Sequence, residues 1–86
     1  MAKFEVLIKP SAVKEIEAIG SKKDRQRIAA AIQKLSENPR PAGSQKLSGT
    51  DKYRVRYGVY RRVYSVEDKA LVVYVVKVGH RRDVYR

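Results

Sequence analysis

The chain contains no cysteine, which removes together a disulfide framework, a thiolate metal site and a catalytic thiol. An intracellular, cytoplasmic protein is the plain expectation. Histidine occurs once, as His80, so a ribonuclease built on a histidine pair is excluded. Acidic residues are scarce, nine Asp and Glu against twenty Lys and Arg. Residues 52–86 carry only Glu67, Asp68 and Asp83, too few for the clustered carboxylates of a metal-dependent nuclease. No metal and no cofactor are therefore expected. Long apolar runs are missing too: none approaches the ~18–20 residues of a membrane helix, and the N-terminus has no signal-peptide core. No membrane partner is expected.

What remains is a basic chain of 86 residues, 43% hydrophobic, long enough for one core and too short for two. It is read as a single domain, 1–86. The net charge of +11 is unevenly spread. Residues 1–51 carry ten Lys and Arg against six acids, a net +4, and residues 52–86 carry ten against three, a net +7. Seven of those last ten cations are Arg, the side chain whose planar fork matches phosphate. A polyanionic partner follows.

The apolar pattern changes period along the chain. Residues 3–9 alternate, with Phe4, Val6 and Ile8 on one side, as in a half-buried strand. Pro10 breaks it, and Ser11 is placed to cap a short helix carrying Val13, Ile16 and Ile19, stopped at Gly20. Ser21, with Asp24 three residues on, opens a second helix whose stripe is Ile28, Ala31, Ile32 and Leu35 and whose end is set at Asn38-Pro39. Residues 40–50, rich in Pro, Gly and Ser, read as a mobile loop. Strand patterns follow at 52–57, 59–66 and 70–78, with turns at Gly58 and 67–69. Residues 79–86 are expected along the sheet edge or over its open face. The fold class is α+β: an N-terminal strand, an antiparallel two-helix hairpin, then a three-stranded antiparallel meander, with the helices on one face of the sheet.

In the strand at 52–57, Tyr53, Val55 and Tyr57 point one way and Arg54 and Arg56 the other. With the helices on the apolar face, Arg54 and Arg56 are left on the open one. Arg61 or Arg62 from the next strand, and His80, Arg81 and Arg82 from the tail, are expected to join them in a concave cationic surface. Six tyrosines, at 53, 57, 60, 64, 74 and 85, interleave with these cations. They suit base stacking on single-stranded RNA and, equally, they suit strands. Any cleavage chemistry must then rest on Arg and Tyr. That is workable for RNA, whose 2′-hydroxyl is a built-in nucleophile needing alignment and charge stabilisation.

The segments Lys-Leu-Ser-Gly at 46–49, Tyr-Arg-Val-Arg at 53–56, Tyr-Arg-Arg-Val-Tyr at 60–64 and Val-Gly-His-Arg-Arg-Asp-Val-Tyr at 78–85 together resemble the RelE toxins of type II toxin–antitoxin systems. The resemblance spans nearly the whole chain. It implies a metal-independent, ribosome-dependent endoribonuclease that cuts mRNA in the ribosomal A site and halts translation. It also implies an acidic, RelB-like antitoxin as partner, in a complex that binds operator DNA through the antitoxin. Carried over by position, Arg61, Arg81 and Tyr85 take the catalytic places, and Arg54, Arg56, His80 and Arg82 the RNA-binding ones. His80 stands where the best-known members have lysine. Two alternatives stay open: a ParE-like toxin that poisons gyrase, and a non-catalytic RNA-binding module.

Overall fold

The computed structural model describes residues 3–58 and 60–80. The first strand, β1 (Glu5–Ile8), ends at Pro10, which lacks the N–H a strand needs but suits the first turn of a helix. Helix α1 (Pro10–Glu17) therefore starts at the proline itself. Its N-cap is Lys9, with no side-chain cap bond, so the expected cap at Ser11 is corrected: proline preorganises the turn and Ser11 lies inside it. Helix α2 (Lys22–Lys34) is capped by Ser21, whose hydroxyl accepts the Asp24 N–H at 3.2 Å, as the sequence suggested. Between the two helices the Arg25 guanidinium donates to the Ile19 carbonyl, satisfying an acceptor that the short connection leaves over.

Helix α2 stops four residues before Asn38. Its last turns tighten, with Leu35, Ser36 and Glu37 N–H groups donating to the carbonyls of Ile32, Gln33 and Lys34 at 3.0–3.1 Å. Such three-residue bonds close out a helix end, and Pro39 disfavours helical geometry in the residue before it.

The 40–50 stretch is not simply a loop. Gln45–Lys46 form β2, paired antiparallel with β3 (Lys52–Tyr57) in the register Gln45↔Arg54 and Lys46↔Tyr53. Strands β4 (Tyr60–Glu67) and β5 (Val72–His80) complete the meander. The sheet order is β1-β5-β4-β3-β2, so β1 lies parallel against β5 at one edge and β2 closes the other. Gly58 turns the β3–β4 hairpin at φ 56, a backbone angle that glycine reaches without a Cβ clash. A bulge between Val63 and Tyr64 shifts the β4–β5 register, and residues 61–64 are all buried, so β4 is covered on both faces at its middle.

One face of this sheet carries the core. Val55, Tyr64, Val66, Val73, Val75 and Val78 pack against Ala12, Ile19, Ile28, Ile32 and Leu35 of the helical segment. Tyr64 is fully buried and makes two further contacts. Its ring stacks on Tyr53 at 5.9 Å between centroids, and its hydroxyl donates to the Pro39 carbonyl at 2.7 Å. The chain leaving α2 is thereby pinned to the sheet. Arg40 adds a second tie: its Nε donates to the Tyr53 hydroxyl at 2.9 Å, and its two terminal nitrogens grip Asp68 at 3.1 and 2.7 Å.

Candidate nucleic-acid interface

Cross-strand register decides which cations meet. Arg56 lies opposite Arg61, and Arg54 opposite Val63. Directly paired residues share a face, and Val55 and Tyr64 hold the core face, so Arg54, Arg56 and Arg61 share the opposite one. They line a small notch of about 50 Å³, completed by Gly43 and Gln45. That is room for about three waters, or for the oxygens of a single anion. Among the described residues no carboxylate lines it.

The notch is built from unequal parts. Arg61 is only 8% exposed, Arg54 is half-buried and Arg56 is exposed. Arg54 Nη2 donates to the Gln45 side-chain carbonyl at 2.6 Å, so the two-residue strand β2 orients the guanidinium. Gly43, at φ 90, turns the chain into the notch where a side chain would be strained. Neither Gln45 nor Gly43 was singled out from the sequence. The Pro, Gly and Ser around them mask a strand that exists only through its pairing with β3.

Two like charges directly opposite on neighbouring strands destabilise a sheet by roughly 0.2–1 kcal/mol. Arg56 and Arg61 stand in that relation, their repulsion set against whatever else each side chain contacts. A bound anion removes it and gains charge-assisted hydrogen bonds in exchange. The arrangement is therefore suited to receiving a phosphate.

The remaining expected site residues fare differently. Arg62 was an alternative to Arg61 on the open face, and the structure corrects it. It pairs with Val55 and Val78, lies on the core face and is 5% exposed. His80 falls at the end of β5, its backbone opposite Tyr60, while Gly79 stands opposite Arg61. Residues 79 and 80 therefore prolong β5, where a departure from the central strand was expected. Arg81, Arg82 and Tyr85 lie outside the described residues, and so does the expected course of the tail beyond His80. Of the tyrosines, Tyr53 and Tyr64 serve the core, Tyr60 packs against it, and Tyr74 is exposed at 37%.

An unforeseen contact guards the β5 edge beyond the end of β1. Glu15 of α1 accepts the Val78 N–H at 3.1 Å and the Lys77 ammonium at 2.9 Å. An open strand edge is thereby capped by a carboxylate. Among the described residues no three His, Cys, Asp or Glu side chains come together as metal ligands, and no helix is long and apolar enough to cross a membrane.

Residues 6–85 match the model of the ParE toxin family of type II toxin–antitoxin systems. Toxin RelG of Mycobacterium tuberculosis is 35% identical over 70% of this chain and 76% of its own length. Among solved structures, RelE in the archaeal RelE–RelB complex of Pyrococcus horikoshii superposes with a TM-score of 0.83 at 32% identity, covering 92% of this chain and 96% of that one. The isolated Escherichia coli RelE toxin does so at 0.75 and 32%, over 98% and 92%. A family model matched over almost all of the chain, relatives at this identity and the shared α+β architecture lead to one conclusion: this chain belongs to the RelE/ParE superfamily of type II toxin–antitoxin toxins.

Proposed function

We propose that this toxin is a metal-independent endoribonuclease that cuts mRNA in the ribosomal A site and so stops translation. The observation that carries the reading is the convergence of Arg54, Arg56 and Arg61 on one notch, with no carboxylate among its described residues, on the sheet face that the helices leave uncovered. Cationic forks held by a rigid sheet suit a phosphodiester, because the preorganised charge costs no rearrangement when the reaction proceeds.

In this reading Arg54 and Arg56 hold the RNA backbone. Arg61, half-walled by the sheet, faces the scissile phosphate and takes up charge as it develops. The 2′-oxygen forms a bond to phosphorus and the bond from phosphorus to the 5′-oxygen breaks. The products are a 2′,3′-cyclic phosphate and a 5′-hydroxyl. One proton leaves the 2′-hydroxyl and one reaches the departing 5′-oxygen. Arg81 is assigned beside Arg61 for charge, Tyr85 or His80 for proton transfer, and Arg82 for backbone contact, all from the family resemblance. No metal is required, since the nucleophile belongs to the substrate.

The partner that silences the toxin is an acidic antitoxin covering the same cationic face, favoured by charge complementarity. The Pyrococcus horikoshii relative is itself a RelE–RelB complex. A second reading has one observation behind it: the matching family model is named for ParE. It predicts growth arrest through gyrase, with mRNA left whole.

Primer extension on a defined mRNA in a purified translation system separates the readings. Cleavage inside the A-site codon that requires ribosomes, and that disappears with Arg61→Ala, is the expected result. Intact mRNA in the presence of wild-type protein that still arrests growth would overturn it in favour of gyrase. Binding without cleavage or arrest would leave a plain RNA-binding module.

A further inference from the structure

A second cavity, of about 410 Å³, lies between the C-terminal end of α2, the chain after it and the core side of β3 and β4. Its walls include Lys34, Leu35, Pro41, Val55, Arg56 and Arg62. The volume falls within the ~300–1,000 Å³ range of small-ligand sites. On the core side Lys34 and Arg62 face Glu37, the one acid among the described residues of the wall, so the lining is net cationic.

Arg62 is the anomaly. It is 95% buried, since only 5% of its surface is exposed, and neither its Nε nor its Nη1 has a hydrogen-bond partner. Burial lowers its pKa from the ordinary arginine value, and the nearby Tyr64 hydroxyl opposes that only in part. A guanidinium stays charged at neutral pH even so, and a buried charge with two of its donor nitrogens unpartnered is among the more unfavourable features a small fold can carry. The fold does not need this charge. An unbranched apolar side chain of similar length would fill the same wall without the desolvation cost. A partner that brings a negative group would reverse the balance.

We propose that this cavity is a carboxylate-binding site, in which Arg62 takes the acid group while a short apolar stem lies against Leu35, Pro41 and Val55. A carboxylate fits better than a phosphate. It is a planar monoanion with less charge to desolvate, much of the wall is apolar, and Glu37 in the wall opposes a dianion. The carboxylate could be delivered on a free small acid or on an Asp or Glu side chain of a bound peptide. The site opens on the opposite side of the sheet from the arginine notch, shares only the Arg56 position with it, and does not depend on whether RNA is cut.

The test replaces chloride by butyrate at constant ionic strength, which holds non-specific screening of this basic protein fixed. Wild type and Arg62→Met are followed by thermal denaturation and by the 15N resonance of the Arg62 Nε–H. The expected result is a saturable shift of that resonance and a rise in Tm on the order of 5 °C in wild type, with none in Arg62→Met. Equal stabilisation of both proteins, an unmoved Nε–H, or a stronger shift of that Nε–H with inorganic phosphate than with butyrate would overturn the proposal. If Arg62→Met fails to fold, the Nε–H titration of wild type decides alone. A blocked Ala-Leu-Glu-Leu-Ala peptide and its Gln counterpart then identify the source. A Glu-dependent response exceeding that of butyrate assigns the site to a peptide side chain, and a weaker one assigns it to a free acid.

Discussion

Arg61 and Arg62 are adjacent in sequence, alike in chemistry and nearly equal in burial, at 8% and 5% exposure. They nonetheless inhabit opposite worlds. Arg61 joins Arg54 and Arg56 around a polar notch open to an anion, whereas Arg62 lies on the core side of the sheet, in a cavity wall with Leu35 and Val55. The difference is a single step of strand alternation, fixed by the pairs Arg56↔Arg61 and Val55↔Arg62. Charge composition alone cannot distinguish the two residues. Register can, and it assigns them different chemistry.

The largest effect expected from breaking this contrast is on cleavage. Arg61→Ala removes a preorganised donor, and losses of about 10²–10³-fold in rate are typical of such removals. The domain should stay folded, because the substitution also relieves the repulsion with Arg56. Single-turnover cleavage on programmed ribosomes measures the loss, and a normal far-ultraviolet CD spectrum checks the fold. A folded Arg61→Ala protein cutting at the wild-type rate would detach the notch from catalysis.

Next in size is a change to the core side that both helices share. Ile32 is completely buried between α2 and the sheet. Ile32→Ala should cost about 2–5 kcal/mol in transfer and cavity terms, a large share of the stability a domain this small has to spare. Urea denaturation reads it directly. A loss under 1 kcal/mol would mean that the site collapses around the smaller side chain. Tyr64→Phe is gentler: it keeps the ring stacked on Tyr53 and deletes the hydroxyl with its bond to the Pro39 carbonyl, worth about 1 kcal/mol, and its contact with the Ser44 side chain. The sharper readout is faster amide exchange in residues 40–46, which that bond helps to hold over the notch. Unchanged exchange there would show that β2 and Arg40 suffice.

How much of this was legible beforehand follows the range of the interactions. The β3 strand at 52–57 and the Ser21 cap rest on neighbours in sequence, and both were readable. The grouping of Arg54, Arg56 and Arg61 needed only alternation plus one hairpin. Strand β2 was hidden, because two residues in a Pro- and Gly-rich stretch acquire strand geometry only from β3. The start of α1 was misjudged because a serine cap outranks proline in ordinary reasoning, while here Pro10 takes the first turn. The burial of Arg62 was unreadable for a physical reason: an arginine on a core wall contradicts the rule that charges face water. The Glu15–Lys77 contact joins residues 62 apart and left no local trace.

The smallest expected effect concerns the clamp that holds residue 40 against the sheet. Arg40 grips Asp68 through both terminal nitrogens, and those hydrogen bonds hold the Asp68 carboxyl below its ordinary pKa of 3.8. A carboxyl depressed in the folded state stabilises the fold above its unfolded pKa and loses that contribution as pH falls through the folded value. Asp68→Asn should therefore be slightly less stable than wild type from neutrality down to about pH 4, and the two should converge below it. Both groups are well exposed, at 40% and 60% of their side-chain surface, so the gap should also shrink in 1 M NaCl. Thermal melts of the two proteins from pH 7 to pH 2 provide the comparison. Parallel curves through the whole range would mean that the pair contributes nothing as an ion pair, and that Arg40 is held instead by the Tyr53 hydroxyl and ring.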